Sequence, residues 1–377
     1  MKIGLLQTEQ RFESRNDKVY GIQTYGQNND YPQRVMDIVA ASVSAVSCNN
    51  NYKKFINGNG FADMNFKTAK LNRKEQTADY ILEQISSDLA MFGGFVLHFN
   101  YNANYKISEI QHVPFETVRF EKLDDDGNFN RVALHPDWAR QFTNLRRWKK
   151  DDITLINLFD PAPDKITEQC PKIKGTETLD LKEYNGQIFY YSNEGDKVYP
   201  IPPFAAALTD MNTEKSIANI LNRNAANNFL PAGMLVDKKN SDQSKEQEDD
   251  TEENFLKFQG SDVACKMMYI QVGSDEEKPE FIPFRTNNYD KEFQVSKNDV
   301  KDSIGRIYNQ PAILRAEAVS GNFGADLMSQ AYSYYNSVTK VERNIIQRVF
   351  EAIMLHWWQQ ETFSNFKINP LVYDSEL

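Results

Sequence analysis

The stretch Leu89-Ala90-Met91-Phe92-Gly93-Gly94-Phe95-Val96-Leu97 joins a helical pattern to a strand pattern. Apolar residues recur at helical spacing from about Asn72 to Phe92, which predicts an amphipathic helix. Residues 95–101 alternate as in a strand. The two glycines between the patterns suit a helix end, because glycine adopts positive φ without strain. The chain is therefore predicted to be α+β.

Further strands are predicted on the carboxyl side of this stretch, at residues 106–113, 118–121, 131–134, 153–159 and 186–191. Together they predict an antiparallel sheet backed by helices. On the amino side, Asn28-Asn29-Asp30-Tyr31-Pro32 predicts the start of one helix that ends near Gly58.

The second half of the chain has a different pattern. Residues 209–229 and 290–309 each predict a helix with one narrow apolar stripe, which we expect neighbouring subunits to bury. Between them, short strands are predicted at residues 266–272 and 280–284, with a helix or helical turn at residues 255–260. Helical spacing then runs from Ala325 to about Gln360, which predicts one very long helix.

Composition limits the function. The 377 residues include 43 Lys and Arg and 53 Asp and Glu, a formal charge of −10, which argues against a protein that grips nucleic acid through many phosphate contacts. DNA that merely passes the protein is compatible with this charge. The length predicts two or three structural units. A mean hydropathy of −0.63 leaves little apolar surface for burial and suits an elongated subunit that packs on its neighbours.

Cysteine usage and hydropathy favour a soluble protein of a reducing compartment. Cys48, Cys170 and Cys265 lie far apart, without the spacing of a metal site or a disulfide framework. The opening residues are too short an apolar run for a secretory leader, and no run has the length of a membrane span.

Motifs for enzyme chemistry are absent from the sequence. There is no phosphate-binding loop with its lysine, no H-E-x-x-H and no G-x-S-x-G. We therefore predict no catalytic residues, no metal and no cofactor. The histidines His98, His112, His135 and His356 are scattered, and strand positions favour a structural role for the first two. A hydrolase using Glu116 and residues 124–126 is the weakest alternative, because nothing in the sequence makes these carboxylates converge.

Several local patterns have a plain interpretation beside a functional one. Residues 124–128 could hold calcium, but their glycine is misplaced for that loop and a hairpin turn is favoured. Residues 146–150 combine Arg and Lys with Trp148 and could contact a phosphate backbone, although a solvated helix end is commoner. Tyr332, Tyr334 and Tyr335 are interpreted as helix core and packing rim. The acidic run at residues 237–253 is interpreted as solvated surface or as a tip where a basic partner docks.

Five further segments occur in a characteristic order. They are Asn29-Asp30-Tyr31-Pro32, Phe55-Ile56-Asn57-Gly58-Asn59-Gly60-Phe61, Glu109-Ile110-Gln111-His112-Val113-Pro114-Phe115-Glu116-Thr117-Val118-Arg119, Asn227-Asn228-Phe229-Leu230-Pro231-Ala232-Gly233 and Ser320-Gly321-Asn322-Phe323-Gly324. With Met91-Phe92-Gly93-Gly94-Phe95, Tyr199-Pro200-Ile201-Pro202-Pro203 and the order of predicted elements, they resemble the portal proteins of tailed bacteriophages and prophages over residues 15–360. No segment alone is a strict signature.

This resemblance implies a domain plan. Residues 1–208 would form a wing of helices on a sheet, 209–229 the first stem helix, and 230–289 a small α/β clip. Residues 290–309 would form the second stem helix, 310–324 a tunnel loop, and 325–377 the long wing helix with a C-terminal strand or tail. The chain left after the long helix suits an absent or reduced crown domain.

The resemblance also implies a function without enzyme activity: a ring, usually of twelve subunits, at one capsid vertex of the virion, through which the genome is packaged and ejected. The partners implied are further copies of the chain, the terminase large subunit, a head-completion adaptor, the major capsid and scaffolding proteins, and the double-stranded DNA in the channel. No membrane partner is implied, and the chain would be made in the bacterial cytoplasm. The alternative is another head–tail connector or scaffold ring component without a packaging role.

Nine residues are assigned to three places by the resemblance. They are Arg315, Asn322 and Phe323 in the tunnel loop; Lys297, Lys301 and Arg306 in the stem lumen or between subunits; and Glu248, Asp249 and Asp250 on the docking surface of the clip.

Overall fold

The helix and the strand predicted on either side of Gly93 are both present in the structure. The computed structural model describes residues 14–17, 19–123, 129–138, 152–174, 176, 180, 183–195, 197–226, 233–238, 267–272, 280–283, 289–315 and 325–373. The chain divides into unit 1, from residues 1–211 and 303–377, and unit 2, from residues 212–302.

Unit 1 holds most of the helices. They are α1 (Tyr31–Ala40), α2 (Val43–Asn57), α3 (Met64–Lys67), α4 (Ala78–Phe92), α5 (Pro163–Gln169), α8 (Ala325–Val338) and α9 (Lys340–Met354). Two further helices, α6 (Leu208–Ala226) and α7 (Tyr289–Ile307), each contribute residues to both units. The predicted helices at residues 209–229 and 290–309 are both present. Helix α6 begins one residue earlier than predicted, and residues 227–229 lie outside the described residues. Helix α7 begins one residue earlier and ends two residues earlier.

The sheet of unit 1 has eight strands in the order β1-β2-β5-β6-β7-β8-β3-β4. They are β1 (Asn16–Asp17), β2 (Ile22–Gln23), β3 (Gly94–Tyr101), β4 (Ile107–Val113), β5 (Val118–Glu121), β6 (Arg131–Leu134), β7 (Thr154–Leu158) and β8 (Gln187–Ser192). All five strands predicted after residue 101 are found. The sheet is mixed rather than wholly antiparallel, because β7 and β8 run parallel.

The helix before Gly93 begins later than predicted. The Thr77 hydroxyl accepts the amide of Tyr80 at 3.2 Å and caps α4. Before it, the side-chain carbonyl of Asn72 accepts the amides of Lys74 and Gln76, which holds this segment in a turn. Gly93 ends the helix at φ 77°, as expected for a left-handed cap.

The helix predicted from residue 31 to residue 57 is two helices. Ser42 has an extended backbone, and its hydroxyl accepts the amide of Ala45 at 3.1 Å. The prediction of one helix was wrong here, because Val39, Val43 and Val46 continue the apolar spacing across a residue whose side chain caps a new helix.

The single long helix predicted from Ala325 was also wrong: α8 and α9 are separated at Thr339 and end at Met354. The Thr339 hydroxyl bonds the Tyr335 carbonyl at 3.0 Å, in the manner that bends helices. The guanidinium of Arg343 donates to the Asn336 carbonyl, to the Thr339 hydroxyl and to the Phe55 carbonyl. These bonds satisfy carbonyl groups at the interruption.

The segment after α9 pairs with the loop after α2. Two backbone hydrogen bonds join them. The Asn59 amide donates to the Asn369 carbonyl at 2.8 Å, and the Asn369 amide donates to the Gly60 carbonyl at 3.0 Å. One bridge joins Phe61 to Ile368. The predicted C-terminal strand is thus reduced to a bridge.

A buried arginine ties two of the quoted sequence segments together. Arg119 on β5 is fully buried, and its guanidinium donates to the side chain and carbonyl of Asn29, whose φ is 56°. The group also lies 5.6 Å from the Tyr25 ring and 5.4 Å from the Trp138 ring. Desolvation lowers the pKa of Arg119 to about 10. Asn29 and Arg119 therefore have a structural role in the core of unit 1.

Unit 2 contains a three-stranded sheet of order β10-β9-β11, from β9 (Gly233–Lys238), β10 (Met267–Val272) and β11 (Glu280–Pro283). The strands predicted near residues 266–272 and 280–284 are present. Strand β9 is central and was not predicted, although Met234, Leu235 and Val236 give it an apolar run. The helical turn predicted at residues 255–260 lies outside the described residues.

Candidate functional site

The residues that lead into the predicted tunnel loop are held by aromatic contacts within unit 1. Tyr308, just after α7, is buried, and its ring stacks on Phe204 at 5.5 Å and meets Tyr52 edge-on at 5.9 Å. Its carbonyl accepts the hydroxyl of Tyr335 on α8 at 3.1 Å. Burial raises the pKa of the Tyr308 and Tyr335 hydroxyls, so both stay protonated. The chain thus leaves α7 at a fixed point.

The chain then turns and packs on α2. Asn309 has φ 49°, and the amide of Gln310 returns to the Gly305 carbonyl at 3.1 Å. A short 3-10 turn follows at Ala312–Arg315, where the Leu314 carbonyl accepts the Asn51 side-chain amide at 2.8 Å. The first six residues of the predicted loop 310–324 are therefore fixed to unit 1.

Arg315, predicted to lie near the bore, is half-buried at the end of this turn. Its guanidinium packs directly on the backbone of Gly305, where a Cβ atom would overlap it. The glycine in α7 thus makes room for the arginine. Asn322 and Phe323 lie outside the described residues, and the role of all three residues stays a prediction.

The three basic residues predicted for the stem lie on α7. Lys297 is exposed and Lys301 is half-buried, and their spacing of four residues places them on one face of the helix. Arg306 is exposed in the last turn, where a cation suits the helix dipole. The clip residues Glu248, Asp249 and Asp250 lie outside the described residues.

The apolar stripes of α6 and α7 are covered more fully than predicted. Ile217, Val300 and Ile304 are buried within the chain. The prediction that only neighbouring subunits bury these stripes was therefore wrong for these residues, because one chain already supplies their contacts. Ile220 on α6 stays exposed.

The histidines on the strands have structural partners. His98 on β3 bonds the Asn185 carbonyl at 2.6 Å, and burial lowers its pKa. His112 on β4 bonds the Asp88 carboxylate at 2.7 Å. Burial raises the pKa of Asp88, although its bond to the imidazole opposes this shift. The His112 contact holds α4 on the sheet, and the His98 contact joins β3 to the segment before β8. Both contacts fit the structural interpretation of these histidines.

A polar groove that was not predicted lies between α8–α9 and the segment after residue 366. Its volume is about 530 Å³, and its lining includes Ser333, Asn336, Lys340, Arg343 and Lys367. No carboxylate, imidazole or thiol lines it. The sequence signal for this groove is a row of polar residues at helical spacing within residues 333–347.

Neither a metal site nor a membrane span is found in the part of the chain that the structure describes. There, no cluster of three or more His, Cys, Asp or Glu side chains could hold a metal ion. No helix among the described residues has the length and apolarity to cross a membrane. Three features of the sequence lie outside the described residues: residues 124–128, residues 146–150 and Cys265. Both interpretations of the first two therefore stay open.

Comparison with known proteins identifies the fold. The structure matches the neck of a native gene transfer agent particle computed with C12 symmetry, with a TM-score of 0.50 and 12% identity over 90% of this chain and 84% of that chain. The virion of the native gene transfer agent particle matches with a TM-score of 0.49 and 12% identity over 90% and 83%. An HK97 family phage portal protein from Corynebacterium diphtheriae matches with a TM-score of 0.40 and 11% identity over 78% and 82%.

No family model and no curated protein matches the chain. The likeness is thus one of fold, and the neck component with the TM-score of 0.50 carries it. The predicted α+β class is confirmed, and the chain shares its fold with this neck component.

Proposed function

We propose that this protein is the portal subunit of a tailed bacteriophage, prophage or related particle. Copies of the chain would form a ring at one capsid vertex of the virion, through which DNA is packaged and later ejected. The observation that carries the proposal is the fold shared with a particle neck component over 90% of this chain and 84% of that chain. The order of the helices and strands along the sequence supports it.

The parts of the chain would divide this work. In our proposal α6 and α7 form the stem, residues 230–289 the clip, and residues 310–324 the tunnel loop beside the DNA. The fixed turn before Arg315 supports the last assignment, since a loop that meets moving DNA needs a firm base. Asn322, Phe323 and Arg315 would face the bore, and Lys297, Lys301 and Arg306 would lie in the stem lumen or between subunits.

The formal charge of −10 suits a conduit. A channel that neutralised six to ten phosphates would hold DNA with a strong, salt-dependent grip that translocation has to avoid. We propose that the terminase large subunit supplies the motor and docks on the clip, with Glu248, Asp249 and Asp250 in the contact. A head-completion adaptor would take the same place after packaging, and capsid and scaffolding proteins would surround the wing.

The experiment that tests this function deletes the gene from its phage or prophage and supplies the chain in trans. A portal is needed before DNA enters, so the deletion should leave capsids empty, and the wild-type chain should restore filled particles. DNA-filled heads without tails would contradict the packaging role. They would support the alternative, a neck connector that is added after packaging, which the neck match by itself also allows.

A loop variant refines the same experiment. Deleting residues 318–323 should leave rings intact and impair packaging or retention of DNA, because the fixed turn at Ala312–Arg315 and helix α8 both remain. Encapsidated DNA is measured by nuclease protection, and rings are counted by electron microscopy. Loss of rings in this variant would show that the loop is needed for assembly instead.

A further inference from the structure

Helices α8 and α9 carry two apolar faces. One is the core face, where Tyr335, Ile346 and Phe350 are fully buried. The other follows alternating steps of four and three residues, the spacing of a coiled-coil seam. Its nine positions are Leu327, Ala331, Tyr334, Val338, Val341, Ile345, Arg348, Ala352 and Leu355. We call these nine positions the seam; eight of them are apolar.

The described part of the chain leaves most of this seam open. Val341 is 61% exposed, and Leu327, Tyr334 and Leu355 are also exposed. Val338 and Ile345 are half-buried, and Ala331 alone is buried. The stripe crosses the interruption at Thr339, so two helices share it. An exposed apolar stripe of this kind indicates a surface that another protein surface covers.

The size of the seam indicates what kind of contact it makes. The 29 residues from Leu327 to Leu355, at about 1.5 Å per residue and with a helix width of about 10 Å, give roughly 400 Å². A stable complex buries about 800 Å² on each partner. The seam is therefore one part of a larger interface, as a subunit contact in a closed ring would be.

A second exposed apolar patch lies elsewhere on unit 1. It consists of Met36 and Ala40 on α1 and Val43 and Val46 on α2, and Val43 is 81% exposed. We call it the α1–α2 patch. Two different patches on one body are what a head-to-tail contact requires, since each subunit then offers one patch to each neighbour.

Charge supports pairing these two surfaces. Arg348 is the one charged residue of the seam and is exposed. Asp37, next to Met36, is an exposed acid at the edge of the α1–α2 patch. Arg348 and Asp37 are opposite in charge and would attract each other across the contact, and such pairs fix the register of an interface. Exposed Arg34 beside Asp37 and exposed Glu351 beside Arg348 make each surface mixed in sign.

We propose that the seam of one copy packs against the α1–α2 patch of the next copy, with Arg348 facing Asp37. This inference rests on the proposed ring and names the wing contact within it. The contact is heterologous, so it leads from subunit to subunit around the ring.

The test uses the full chain and two charge variants, Val341→Glu in the seam and Val43→Glu in the patch. Each variant should raise the protein concentration at half assembly at least about tenfold, because a carboxylate would be buried without a partner. Mass photometry over a dilution series measures this. Val372→Glu is the matched control: Val372 is 71% exposed on unit 1 but lies in neither surface, so the variant should assemble like the wild type.

Mixing the two variants separates head-to-tail pairing from other geometries. The Val43→Glu chain keeps its seam and the Val341→Glu chain keeps its patch, so an equimolar mixture should form a 1:1 dimer of about twice the 43.5 kDa chain mass and no ring. Wild-type assembly by both variants would overturn the inference. A mixture that stays monomeric would overturn the pairing of these two surfaces.

A charge exchange tests the register. Arg348→Glu should weaken assembly about fivefold, and adding Asp37→Arg in the same chain should restore it. A double variant weaker than the single one would contradict the facing of these residues. Failure of the wild type to assemble at any concentration would overturn the ring itself. Wild-type rings with unaffected variants would overturn only the proposed contact.

Discussion

Helices α4 and α9 have fifteen residues each but bury them differently. Helix α4 lies between α2 and the sheet, and Ile81, Leu82 and Ile85 are fully buried. Helix α9 buries one face, and its Val341 and the exposed Leu355 just beyond it belong to the second apolar face, the seam. The comparison shows that an apolar residue on a helix has two possible partners, the same chain or another copy. Only the structure distinguishes them.

The largest effect is expected where unit 1 buries a charge. Arg119→Met should lower the free energy of unfolding by about 3–5 kcal/mol, because it leaves the buried carbonyls of Asn29, Glu116 and Val118 without their donor. Chemical denaturation measures the change. Arg131→Met, on the neighbouring strand, removes a partly exposed pair with Glu121 and should cost less than about 1 kcal/mol. Equal losses would show that burial of Arg119 is not what matters.

A matched pair of leucines sharpens the comparison of the helices. Leu82→Ala in α4 should cost about 2–5 kcal/mol, because it leaves a cavity in a fully buried site. Leu327→Ala in α8 should change monomer stability by no more than about 0.5 kcal/mol, because Leu327 is 42% exposed. Unfolding of dilute, unassembled protein measures both. A large loss for Leu327→Ala would mean that the same chain covers the seam.

The smallest effect concerns pH. Burial lowers the pKa of His98, so the unfolded chain binds the proton more readily, and stability falls as pH drops below about 6.5. His98→Gln keeps a donor for the Asn185 carbonyl and should reduce the loss of stability between pH 7 and pH 5.

The difference in stability between wild type and variant is the measured quantity, because burial also lowers the pKa of His135 and His356. The raised pKa of Asp88 acts in the opposite direction, since its proton is bound more tightly in the folded chain. An unchanged pH dependence would contradict the role given to His98.

The sequence predicted strands better than helix ends. The turn formers at residues 124–128 between them located β5 and β6 to the residue. Neither strand has a single buried face, because consecutive residues of each are buried. The breaks at Ser42 and Thr339 were missed, since apolar spacing continues through both and the interruption depends on side-chain hydrogen bonds. Strand β9 was missed because its apolar residues 234–236 form a short run that does not alternate with polar residues.

The candidate site was predictable only in part. The helix at residues 290–309 and Pro311 after it located the start of the predicted loop. The short turn at Ala312–Arg315 and the packing of Arg315 on Gly305 were not predicted. The seam was present in the sequence as a seven-residue repeat. It merged with the core stripe of the same helices, because Tyr334 and Tyr335 are adjacent and burial alone separates the two faces.

The ring is the central claim, and the mass of the purified chain at low and moderate salt, with negative-stain images of the same sample, tests it most directly. Twelve copies of the 43.5 kDa chain correspond to about 520 kDa. We expect closed rings with a central hole near that mass. A chain that stays monomeric at every salt and protein concentration would contradict the account.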